Sequence, residues 1–182
     1  VPEPAITTEV AEWVEAETPA ELAVVAEVVT AALSEQRAAE QGWTGLTDND
    51  RLDRAFAALE ARGILARQDF SDCGTCGAGE ILGLAEASRA DGRAMRGYAF
   101  FHQQDTDALL DGSTGLYLSY GADLPADTDE AAYETAATAI GHEVAEAVRA
   151  EGLAIDWDGD LGQRIGVRID WRRRRFTEAP PP

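Results

Sequence analysis

The sequence predicts an α+β protein: a helical N-terminal extension over 1–47, a ferredoxin-like βαββαβ antiparallel sheet with one added C-terminal strand over 48–176, and a disordered tail over 177–182. Three observations predict it. The first 63 residues place apolar side chains at helical spacing. From Ile64 onward, short β-branched and aromatic runs bounded by glycine and turn residues interrupt that pattern. Their order is strand, helix, strand, strand, helix, strand, strand.

Taken in order, Thr7 or Thr8 is expected to cap a short helix carrying Val10, Trp13 and Val14. Thr18-Pro19-Ala20-Glu21 supplies an N-cap, a first-turn proline and a capping-box acid for the next helix. Its apolar stripe is Leu22, Val25, Ala26, Val29, Ala32 and Leu33, and Gly42 lies past its end. Thr47-Asp48-Asn49-Asp50 opens a third helix with Leu52, Ala55, Phe56 and Leu59 on one face and Gly63 as a left-handed stop. Strands are expected at Ile64–Phe70, Tyr98–Gln104, Leu116–Tyr120, Leu153–Trp157 and Arg164–Trp171. The last two are joined as a hairpin through Asp158-Gly159-Asp160. Between them fall a helix over Glu80–Ala90, one helical turn over Thr106–Asp111, and a long helix capped by Thr128 and ended by Gly152.

Composition narrows the function. The 182 residues hold 34 acids and 15 bases, a net charge of −19. Such a field repels phosphate backbones and excludes a general nucleic-acid binder. The distribution is uneven: residues 164–182 hold six arginines against two acids, so a local contact with an anion or an acidic partner stays open, beside an intramolecular role against the chain's own acids. No run approaches the roughly 20 apolar residues that cross a bilayer, and no signal-like segment opens the chain. Two cysteines are too few for a secreted disulfide framework. The expectation is a soluble, cytoplasmic protein without membrane or nucleic-acid partners.

The most informative motif is Cys73-Gly74-Thr75-Cys76 between a strand and a helix. A helix N-terminus stabilises a thiolate, which suits a redox pair; CxxC is also half of a tetrahedral zinc site. Two idle thiols in a glycine-rich turn are the third reading. In the ferredoxin-like order the first two strands run parallel with the third between them, so Cys73 and Cys76 share a rim with His102, Gln104 and Asp105, two strand spacings or roughly 10 Å away. A histidine beside a carboxylate is a general base, a metal ligand with its orienting partner, or a hydrogen-bonded structural residue. His142-Glu143-Val144-Ala145-Glu146 lacks the second histidine of a zinc helix, and His142 faces solvent by periodicity. Asp123, Asp127, Asp129 and Glu130 lack EF-hand spacing, and Ser119 lacks a nucleophile elbow.

Several segments in fixed order carry a resemblance. They are Ala55–Ile64, Phe70 followed by Thr75-Cys76-Gly77, Tyr98–Asp105, Leu116–Gly121, Ile140-Gly141, Trp157-Asp158-Gly159 and Asp170-Trp171-Arg172. Over roughly 50–175 the chain resembles a family of uncharacterised bacterial proteins, frequent in actinobacteria. Members often carry a Cys-Cys pair before Thr-Cys-Gly, where this chain has Asp72-Cys73. The resemblance implies no established activity.

The expected function is a non-catalytic α+β domain that binds a protein or small molecule at the rim of His102, Gln104 and Asp105, with Cys73, Cys76 and His102 as ligands of a structural zinc in one version. The alternatives are a thiol-disulfide oxidoreductase using Cys73 and Cys76, and an acidic inhibitor of a basic protein.

Overall fold

The computed structural model describes residues 2–93 and 95–178. Of the tail expected to be disordered over 177–182, residues 179–182 lie outside the described residues. The chain divides into two compact units, one of residues 1–45 with 174–182 and one of 46–173.

In the first unit, α1 (Glu3–Trp13) and α2 (Pro19–Gln41) pack through Ala11, Val25 and Val29. α1 starts before the expected threonine caps, because Pro4 pre-sets helical φ in its first turn, while Pro2 stands as the extended N-cap. The Thr7 and Thr8 hydroxyls instead donate back to the carbonyls of Glu3 and Pro4, each at 3.0 Å. α2 has the expected box: Glu21 N–H donates to Thr18 Oγ1 and the Glu21 carboxylate accepts from Thr18 N–H.

The C-terminal segment 174–178 belongs to this unit and is held by one carboxylate. Glu40 is 1% exposed and accepts from the backbone N–H groups of Arg175, Phe176 and Thr177 and from the Thr177 hydroxyl at 2.6–3.0 Å. The Arg37 guanidinium lies over the Phe176 ring, and Arg174 donates to Gly45 O.

The second unit is a five-stranded open mixed sheet with helices on both faces. Its elements are α3 (Asp48–Ala61), β1 (Ile64–Arg67), α4 (Gly74–Ala90), β2 (Gly97–Phe100), α5 (Gln103–Leu110), β3 (Gly115–Ala122), α6 (Glu130–Ala150), β4 (Ala154–Asp156) and β5 (Ile165–Arg168). Alternation along the strands divides the core. Ile64, Ala66, Ala99, Leu116, Leu118, Ile165 and Val167 meet α3 and α6, whereas Leu65 and Phe100 meet Ile81 and Ala85 of α4. The α3 capping box and the left-handed Gly63 (φ 78°) stand as expected. α6 is capped by Asp129, one residue after the expected Thr128, with Asp129 Oδ1 accepting from Ala132 N–H at 3.0 Å.

The strand order corrects the ferredoxin-like expectation. The sheet runs β1-β2-β3-β5-β4; β1 pairs directly with β2 in parallel, and every other pairing is antiparallel. No strand lies between β1 and β2. A helical crossover fixes that two strands run parallel, but leaves open which strands are neighbours. Here β1 is a four-residue edge whose Ala66 N–H is taken by Glu60 Oε1 at 2.7 Å, and the same oxygen receives Arg67. A side chain occupies the place a further strand would take, which also blunts an exposed sheet edge. The β4–β5 hairpin is present in the register Ala154↔Arg168. Among the described residues no helix is long and apolar enough to cross a membrane.

Candidate functional site

Cys73 is the N-cap of α4, which begins at Gly74, six residues before its expected start. The CxxC is therefore the helix's first turn and not a turn leading into it. Gly77 lets this turn sit directly on the sheet: a Cβ there would fall 2.5 Å from Phe100 Cε2. The loop delivering Cys73 is held in an uncommon conformation, with Asp69 (φ 50°) and Ser71 (φ 63°) both left-handed without being glycine. Contacts to the β2–α5 junction fix it. Phe70 N–H donates to Phe101 O at 2.9 Å, Gln103 N–H to Ser71 O at 3.1 Å, and Thr106 Oγ1 to Asp69 Oδ1 at 2.7 Å.

At the helix end the two sulfurs lie 3.2 Å apart, and Cys76 N–H donates to Cys73 Sγ at 3.4 Å. Both cysteines are free thiols, Cys73 partly exposed and Cys76 exposed. Their environments push them apart. The backbone N–H and then the side chain of Cys76 lower the Cys73 pKa by stabilising its thiolate. Donating to Cys73 and lying beside its charge raises that of Cys76, with burial, Asp72 and Glu80 adding to the rise.

His102 and Asp105 are brought together but turned inward. His102 ends no strand, since β2 stops at Phe100; it is the N-cap residue of α5, where its N–H donates to Asp105 Oδ2 at 3.1 Å. Its ring is buried, with Nδ1 3.3 Å from Asp105 Oδ2 but too poorly aligned for a hydrogen bond. Nε2 faces the first turn of α4, 3.5 Å from where a Gly74 Cβ would stand. The adjacency of β1 and β2 makes this approach closer than the two strand spacings expected. Asp105 is engaged by a residue the sequence reading left in the C-terminal basic block: Arg164 grips both its oxygens, at 3.1 and 2.5 Å, and also donates to Tyr117 O. Gln104 is exposed. Among the described residues no three His, Cys, Asp or Glu side chains are gathered to hold a metal ion.

The remaining candidates have structural partners. His142 is exposed and packs edge-on against Trp157 at 5.1 Å. Arg172 pairs with Asp170 and Arg173 with Asp53, so these two residues of the arginine run contact the unit's own acids. Glu40 escaped the sequence reading, because a lone glutamate in a helix carries no sign of what it will accept.

The family described as "Domain of unknown function (DUF6891)" matches residues 1–175. The chain belongs to this family. No curated protein and no solved structure matches it significantly. The DUF6891 match includes the two N-terminal helices as well as the sheet unit. The description assigns the family no chemistry, so a functional reading rests on the geometry above.

Proposed function

We propose that this DUF6891 protein reacts with disulfides through Cys73 and Cys76. The observation that carries the reading is the pair of sulfurs 3.2 Å apart at the N-terminus of α4, with the Cys73 thiolate favoured and the Cys76 thiol held protonated. The Cys73 thiolate attacks one sulfur of the incoming disulfide. A mixed disulfide forms as the partner's S–S bond breaks, and the first thiolate leaves with the electron pair. Cys76 then gives its proton to water and attacks Cys73 Sγ, releasing the second thiolate. The substrate disulfide is reduced to two thiols and the chain is oxidised to a Cys73–Cys76 disulfide. A passive ligand site at His102, Gln104 and Asp105 is the weaker reading, because His102 is buried and Asp105 is committed to Arg164 and to the α5 cap.

Reduced protein mixed with hydroxyethyl disulfide is expected to lose both thiols and become lighter by two hydrogens. Cys76→Ser should stop at the mixed disulfide, and Cys73→Ser should slow the first step at least about tenfold. Thiols that react no faster than a free cysteine, with no intramolecular disulfide in the product, overturn the reading.

A further inference from the structure

We infer that the dithiol selects cationic disulfides, an inference that rests on the exchange reading above. The thiols sit in a one-signed charge environment fixed by geometry. Asp72 directly precedes Cys73, and Glu80 lies one turn beyond Cys76 on the same helix face. Glu80 is tied by Ser71 Oγ at 3.2 Å to the loop that also carries Asp72, so both carboxylates belong to the segment that holds the sulfurs. Asp69 stands in the same loop, and Asp107 is exposed on α5.

The arginines nearest the site in sequence or space are paired with acids. No arginine occurs between Arg67 and Arg89 or between Arg96 and Arg149, and the chain has no lysine. Arg67 pairs with Glu60, Arg89 with Asp123 and Arg164 with Asp105. A carboxylate-bearing disulfide meets like charge at the dithiol, whereas an ammonium-bearing one is attracted to Asp72 and Glu80 as its sulfur approaches. The site's substrate class is then a disulfide flanked by amines, or a cystine flanked by lysine or arginine in a peptide.

The test compares cystamine, neutral hydroxyethyl disulfide and oxidised glutathione as probes of the reduced full chain, each rate divided by that with dithiothreitol, which removes intrinsic differences among the disulfides. Cystamine is expected to be favoured over hydroxyethyl disulfide by about fivefold at low salt, and oxidised glutathione disfavoured by a similar factor. Both ratios should approach one in 0.5 M salt, on the order of a 4 Å screening length. The Asp72→Asn/Glu80→Gln chain should lose most of the preference, and the salt series on the unaltered protein stands if that variant fails to fold. Reaction with all three probes at the dithiothreitol ratios, insensitive to salt, overturns the charge selection and leaves exchange intact. Reaction with none of them overturns exchange itself.

Discussion

Single side chains decide how firmly each unit holds its ends. Burial alone opposes a charged Glu40, yet hydrogen bonds from Gln36, from the Arg175 and Phe176 backbone and from Thr177 outweigh it and hold its pKa down to about 2. A folded-state pKa below the unfolded value means stability that is whole above about 4.5 and lost as pH falls toward 2. Protection of the Phe176 and Thr177 amides, taken as the ratio of the intrinsic to the observed exchange rate at each pH, should therefore fall as pH drops through that window and stay constant between pH 5 and 8. Glu40→Gln should lower that protection throughout pH 5 to 8, since a neutral amide replaces an acceptor of charge-assisted bonds worth about 1.5–3 kcal/mol each. Exchange at these two amides unchanged in the variant would show that the carboxylate does not hold the segment. Asp105 makes a similar case in the sheet unit. Asp105→Ala removes the α5 cap and leaves Arg164 without its carboxylate, and a loss of about 2–3 kcal/mol in urea unfolding is expected, between the values for exposed and fully buried pairs.

At the level of elements, the local signals were legible and the pairing was not. Thr18 and Thr47 announced two helix starts because a capping box is written in four consecutive residues. Gly63 marked a stop for the same local reason. The neighbour of β1 depended on Glu60 reaching across to Ala66 N–H, a contact no period or spacing encodes. The site shows the same division. Cys73 and Cys76 stood out by spacing, but their place in the first turn of α4 required Gly77 to accept Phe100 against it. Residue types alone linked His102 with Asp105; the arginine that pins Asp105 lies 59 positions away. One prediction belongs to this scale. Gly77→Ala must displace the Phe100 ring or lift the first turn of α4, so it should cost about 1–3 kcal/mol and slow the reaction of Cys73 with hydroxyethyl disulfide. Unchanged urea midpoint and rate together would show that the turn does not depend on that contact.

Across the whole molecule, apolar burial is divided unequally. Both sheet-face cores and every residue of the thiol site come from 46–173. The first unit buries Ala11, Val25 and Val29, with Ile6, Val10, Ala16 and Leu33 partly covered around them. A core that small cannot offset the conformational entropy of a helical pair, whereas the sheet unit has the size and burial of an ordinary small domain. A chain restricted to 46–173 is therefore expected to unfold cooperatively in urea and to react with hydroxyethyl disulfide at the rate of the full chain. Residues 1–45 alone should show only partial, non-cooperative helicity by circular dichroism. If 46–173 fails to fold while the full chain folds, stability of the sheet depends on residues outside it, and the dithiol cannot be assigned to an autonomous domain.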